Sequence, residues 1–166
     1  QFGMDSNTVM LTASDAGWMN GHTYALYGPL LMGAKTILIE KPMSLINETL
    51  FKKILLNEKV NILYLPVTLI RLMRSIDKKI KIKSKYIKTL GSMGEPLSKH
   101  IGSWFSKKFS FKSLQIVNAY YQTENSAILA SPKFNDNIKK VSFGTVGKQV
   151  NNILGIFLEK LDSNKS

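Results

Sequence analysis

The sequence predicts an α/β fold: a mostly parallel sheet flanked by helices. Three observations predict it. Short apolar runs of strand length alternate with longer stretches of helical periodicity. The links between successive strands are roughly 15 to 25 residues, which suits right-handed βαβ crossovers and a parallel sheet. Polar, glycine- and aromatic-bearing segments follow two of the strands, where open α/β sheets bind ligands.

In chain order, residues 1–13 form a lead-in with a short strand over Thr8–Leu11. Ser14-Asp15-Ala16-Gly17 reads as a turn, and Thr23–Met32 as a helix capped by Asn20. Pro29 should kink or break that helix, and Gly33 should stop it. Lys35–Glu40 reads as a buried strand, followed by a helix over Leu45–Lys59 with Leu45, Phe51, Ile54 and Leu55 on one face. Val60–Leu65 is the next strand, and Pro66 starts a helix to about Asp77. A lysine-rich loop leads to a strand over Tyr86–Ser92, then a tight turn and a helix from Lys99 to Lys108. Leu114–Asn118 reads as a buried strand and Ser126–Ala130 as one more. Beyond Pro132 the pattern weakens, with strands of a different sheet expected over Ile138–Val146 and Gly155–Leu158 and a frayed end after them.

The chain of 166 residues suits one domain, and its hydrophobic fraction of 44% suffices for a core. No apolar run reaches about 18 residues, so no membrane span is predicted. No signal peptide is visible. With no cysteine, disulfides, zinc–thiolate sites and thiol catalysis are excluded. His22 and His100 are the two histidines and lie far apart, which argues against a histidine metal cluster. These features fit a cytoplasmic protein. The net charge of +12 raises nucleic-acid binding, but only Arg71 and Arg74 supply the forked guanidinium that base and phosphate recognition favours. The remaining positive charge is scattered lysine, read as solvated surface.

Asn118-Ala119-Tyr120-Tyr121-Gln122-Thr123-Glu124 concentrates two ring faces, amides, a hydroxyl and a carboxylate at a strand's carboxyl end. These types suit a nucleotide: a ring for the base, a hydroxyl for a phosphate oxygen, a carboxylate for Mg²⁺. Alone, the stretch reads better as a polar turn with two packing tyrosines, since short motifs match by chance. Met93-Gly94-Glu95-Pro96 falls at the end of another strand, and its glycine permits close approach of a flat ring. Adjacent parallel strands would bring the two segments together, and jointly they favour the nucleotide reading. Trp18-Met19-Asn20-Gly21-His22 is a third candidate, as a pocket wall or simply a buried tryptophan beside a cap. No P-loop and no Ser-His-Asp pattern is present, so any chemistry is positional and electrostatic.

These strings resemble the acetyl-CoA synthetase branch of the adenylate-forming (AMP-binding) enzymes. The matching residues are Ala13 to Trp18, Gly21-His22-Thr23-Tyr24 and Tyr27-Gly28-Pro29-Leu30. They continue through Asn61 to Tyr64, Thr68, Ile70-Arg71, Gly91 to Pro96 and Tyr121-Gln122-Thr123-Glu124. The resemblance implies the large domain of such an enzyme, truncated at both ends, with residues 1–150 its central part and 151–166 the start of the next β segment. It implies ATP, Mg²⁺ and CoA as co-substrates or cofactors and acetate or a similar short acid as substrate, with no specific nucleic-acid or membrane partner. Gly94, Glu95, Pro96 and Asn118, Ala119, Tyr120, Tyr121, Gln122 and Thr123 would hold ATP or AMP, with Tyr120 stacked on adenine. Thr123 and Glu124 would be catalytic, Glu124 through Mg²⁺. Trp18, Met19, Met93 and Tyr121 would wall the acyl pocket, and Asn20 would lie near CoA.

The chain departs from the family pattern at Met19-Asn20, usually Val-Thr; at Asn118-Ala119-Tyr120-Tyr121, usually Asp-Thr-Trp-Trp; and at Met93, usually Val. The bulkier methionines should reshape the acyl pocket. The family's phosphate loop, ribose-binding aspartate and C-terminal lid with its lysine have no counterpart here. The expectation is therefore a fragment that carries part of the ATP and acyl sites without turnover. A non-catalytic nucleotide-binding or interaction domain on the same fold is the alternative. The 166-residue chain is expected to form no acetyl-CoA from acetate, ATP and CoA, and thioester formation above background in that assay would overturn this expectation.

Overall fold

Apolar side chains at alternate strand positions demand cover on both faces of a sheet, and the chain supplies it. In the computed structural model, which describes residues 1–77, 82–137 and 141–150, five parallel strands run in the order β2-β1-β3-β4-β5. They are β1 (Val9–Thr12), β2 (Lys35–Leu38), β3 (Ile62–Pro66), β4 (Thr89–Met93) and β5 (Ile116–Asn118). Leu11, Leu63, Leu65, Leu90 and Ile116 face one side. There they pack against Phe51 and Leu55 of α2 (Glu48–Asn57), Leu69, Ile70 and Met73 of α3 (Val67–Ser75) and Ile101 and Phe105 of α4 (Lys99–Lys108). Met10, Ile62, Tyr64, Met93 and Val117 face the other side, beneath Phe2, Ile128, Tyr24 and Tyr121.

A second, antiparallel sheet follows, in the order β6-β7-β8: β6 (Tyr120–Gln122), β7 (Ala127–Ser131) and β8 (Lys148–Gln149). The polar aromatic stretch that reads as a turn is therefore partly a strand. β6 pairs with β7 through a register irregularity between Tyr120 and Tyr121. A 3₁₀ turn, Thr123–Asn125, links the two, closed by Ser126 at φ +52°.

Three further differences from the sequence reading have physical causes. Lys35–Leu38 is an edge strand, not a buried one: Leu38 is 60% exposed, because β2 has a neighbour on only one side. Asn20 does not cap the helix after it. It sits in helical conformation with its side chain turned away from the helix end. The helix itself is π-helical over Gly21–Tyr27 and returns to α geometry in α1 (Gly28–Leu31), with Pro29 in the first turn of that short segment. Proline has no N–H to donate, and the change of winding falls where its donor is missing. The expected strand over 138–146 is not formed at 141–146. Its first residues, 151–166 with the strand expected near their middle, and part of the lysine-rich loop lie outside the described residues.

Two local devices fix elements of this core. Asn47 caps α2, its side-chain Oδ1 accepting from the Leu50 N–H at 3.1 Å. Gly91 lies in the middle of the sheet, where an added Cβ would come within 2.6 Å of both the Phe2 and Tyr64 rings. The backbone of β4 can lie under those rings only without a side chain. Asn47→Ala should lower stability by about 1 kcal/mol, read as a shift in the urea unfolding midpoint. Gly91→Ala should lower it by about 1–3 kcal/mol through overpacking in the same measurement.

Candidate active-site cleft

All five strands of the main sheet point their carboxyl ends toward one edge, because every pairing among them is parallel. The register places Pro66 beside Met93 and Ser92 beside Asn118. A cleft of about 710 Å³ opens beyond that edge. Its walls come from the segment after β1 (Ala13, Ser14, Asp15, Trp18, Asn20) and from Pro66, Thr68 and Leu69 where β3 runs straight into α3. Met93 to Pro96, Asn118 to Tyr121 and Thr123 complete most of the rim. The two segments expected to meet do line one space.

Gly94 sits at φ +86°, a conformation side-chain-bearing residues rarely adopt, and nothing lies within 4 Å of where its Cβ would be. The backbone here is a bare floor open to the cleft, which fits the close approach of a flat ring. Glu95 pairs its carboxylate with Arg71 of α3, whose second nitrogen reaches the Pro96 carbonyl at 3.5 Å. Arg71 thus ties the loop after β4 to α3. It has no assigned role in the sequence reading, although it falls in a matching string.

Asn118 is buried, and both ends of its amide are engaged. The Ser92 hydroxyl donates to its Oδ1 and its Nδ2 donates to the Thr145 carbonyl, each at 3.0 Å. The Ala119 N–H donates to the Ser92 carbonyl at 2.9 Å. These bonds fasten the exit of β5 to β4 and draw residues 144–146 to the rim. Gln122 is not a wall. Its amide donates to the Tyr120 hydroxyl at 3.1 Å and its carbonyl accepts from Asn125 at 2.8 Å, so it steadies the half-exposed Tyr120 ring.

Tyr121 is held differently. Its ring meets Tyr24 edge-on at 5.9 Å, and Tyr24 meets Tyr64 in the same manner at 6.1 Å. The Tyr24 hydroxyl accepts from the Ile128 N–H. This ladder of rings joins the π-helical segment, the main sheet and the second sheet. Burial raises the Tyr121 pKa, the Thr23 hydroxyl opposes that, and the Glu124 charge adds to it. The wall it forms is neutral at physiological pH.

Trp18 lines the cleft and is largely exposed, at 68%. Asn20 lines it from a buried position, with its amide nitrogen against the Met93 sulfur. Met19 and Glu124 are not walls. Glu124 is exposed on the 3₁₀ turn one residue beyond Thr123. No group of three or more acidic or histidine side chains that could hold a metal occurs among the described residues. A lone carboxylate beside a cleft fits Mg²⁺, which takes one or two carboxylates and completes its shell with water and phosphate oxygens. The charged walls among the described residues are Asp15 and Glu95; no described lysine lines this space. Ser14, Asp15, Thr68 and Leu69 are walls that the sequence reading left without roles, although three of them lie in the matching strings. No helix among the described residues is long and apolar enough to cross a membrane.

Comparison with known proteins gives this geometry a context. Acetyl-coenzyme A synthetase 1 of Saccharomyces cerevisiae is 37% identical over 133 residues, 79% of this chain and 19% of its own length. The acetyl-coenzyme A synthetase of Vibrio cholerae is 37% identical over 133 residues and 20% of its own length. Acetyl-coenzyme A synthetase 2 of Candida albicans is 35% identical, again over 20% of its own length. The chain thus spans about one fifth of the curated relatives it matches. A crystal structure of a benzoate CoA ligase from Burkholderia xenovorans superposes with a TM-score of 0.73. That match covers 89% of this chain and 28% of the ligase, at 24% identity, and establishes the shared α/β fold. The family model for AMP-binding enzymes matches residues 1–156, and the chain belongs to that family.

Proposed function

We propose that this chain is part of an acetate-type, short-chain acyl-CoA ligase that activates a carboxylate with ATP and passes the acyl group to CoA. The observation that supports it most is the meeting of Met93-Gly94-Glu95-Pro96 with Asn118 to Tyr121 and Thr123 around one cleft at the strand ends. In the first step a carboxylate oxygen attacks the α-phosphorus of ATP. The bond from that phosphorus to the bridging oxygen breaks, and pyrophosphate leaves. In the second step the CoA sulfur attacks the acyl carbon, its proton passes to solvent, and AMP leaves.

On this reading the Gly94 floor and the Tyr120 ring take the adenine between them, with Glu95, Pro96 and Ala119 along its edge. Asn118 keeps the two strand exits at a fixed spacing, and Gln122 keeps the Tyr120 ring in place. The Thr123 hydroxyl donates to a phosphate oxygen. Glu124 holds Mg²⁺, which neutralises charge on the transferring group. Trp18, Met93 and Tyr121 bound the acyl end. The neutral Tyr121 adds no charge to repel the incoming carboxylate. The contact between Asn20 and Met93 supports reading Asn20 with the acyl end as well as with the approach of CoA.

In the full-length protein carrying this segment, Glu124→Ala should lower acetate-dependent ATP–pyrophosphate exchange more than about tenfold. Raising Mg²⁺ should restore part of the loss. Exchange unchanged by the substitution would refute the metal role.

A further inference from the structure

The floor of the cleft holds polar atoms that the fold leaves unmet. Asn20 is 8% exposed and Tyr64 fully buried. Neither the Asn20 Oδ1 nor the Tyr64 hydroxyl has a hydrogen-bond partner of ordinary geometry among the described residues. The two side chains touch: burial raises the Tyr64 pKa, and a hydrogen-bonding contact from Asn20, outside ordinary geometry, opposes it. Tyr64 therefore stays a neutral hydroxyl. Asn20 is a wall of the cleft, and its amide nitrogen meets the Met93 sulfur.

A thioether is a weak acceptor on a flexible arm. It is a poor permanent partner for a buried amide. A stable core would pair both ends of Asn20, as this fold does for Asn118. Here the amide nitrogen rests on the Met93 sulfur, and the oxygen has no partner of ordinary geometry among the described residues. A ligand group that can both donate and accept would pair both ends of the amide. A hydroxyl is the smallest such group.

We propose that Asn20, with Tyr64 deeper in the floor and Met93 as a movable cover, forms a polar subsite for the hydroxyl at the far end of a short hydroxy acid. This deepens, and rests on, the acyl-activating reading above. The incoming hydroxyl donates to the Asn20 Oδ1 and accepts from its Nδ2, displacing the Met93 thioether, whose unbranched arm adopts another rotamer. Tyr121 and Trp18 limit the length of acid that fits. A site with unmet buried polar groups rejects an analogue lacking the hydroxyl more strongly than an apolar pocket sorts by size.

The test is carboxylate-dependent ATP–pyrophosphate exchange in the full-length protein carrying this segment. The probes are acetate, 3-hydroxypropanoate and butanoate; the last has a methyl where the second has its hydroxyl. 3-Hydroxypropanoate should exceed butanoate in kcat/KM by at least about tenfold, and Asn20→Leu should bring the ratio close to one. Tyr64→Phe, which removes an unmet hydroxyl and keeps the ring packing, should cut the ratio severalfold without lowering thermal stability. Equal use of the two acids, preference for butanoate, or a preference untouched by both substitutions would overturn the subsite. Acetate-dependent exchange would in that case leave the activation reading standing. No exchange with any acid would overturn both.

Discussion

The parallel register of β3, β4 and β5 is the constraint on which the rest of this structure depends. Parallel pairing sends every strand exit to the same edge, and the pairing of Pro66 with Met93 and Ser92 with Asn118 brings three exits level. The bonds from Ser92 to Asn118 and from Asn118 to Thr145 hold that level against the pull of the segments that leave it. A slip of one residue would exchange the two faces of a strand. Leu90 would then face the tyrosine ladder and Met93 the helix-covered core. The cleft is thus a consequence of sheet register before it is a property of any loop.

The second face of the sheet explains why the cleft has aromatic walls. Tyr64 stands at the centre of a line of rings running from Phe2, 4.8 Å away, through Tyr24 to Tyr121. Edge-to-face contacts of this kind fix ring orientation as well as burying area. Tyr121 therefore takes its position from residues nearly a hundred positions earlier in the chain, and Gly91 lets the line pass close over the strand. Helix-side packing is independent of this: Phe51, Phe105 and Phe109 form their own cluster on the opposite face.

Much of the fold was legible in the sequence, because the main strands and helices announce themselves by local periodicity and by Pro66, Gly33 and Gly94 at their ends. What was hidden is what depends on partners distant in sequence. Lys35–Leu38 has the apolar composition of a buried strand, but only the strand order reveals that it lies at the edge. Tyr120–Gln122 is too short and too polar to show alternation, and its pairing to β7 is irregular. Asn20 has the residue type of a cap, yet its amide is directed to a methionine 73 residues later. The two segments of the candidate site were legible because each follows a strand. Arg71, Leu69 and the commitments of Asn118 were not, since they are set by how α3 and residues 144–146 close over the strand ends.

The π-helical run at Gly21–Tyr27 bears on all of this. A π turn holds about one residue more than an α turn, so Trp18 to Asn20 and the segment anchored by Pro29 are about 100° out of phase with a continuous α-helix. The run acts as a phase shifter. Asn20 faces the sheet and Leu30 and Leu31 face outward because the extra residue is absorbed between them. Deleting a single residue there would restore the α-helical phase and rotate Asn20 off Met93. The composition of the cleft floor is thus encoded partly in the length of a helix, not only in the residues it carries.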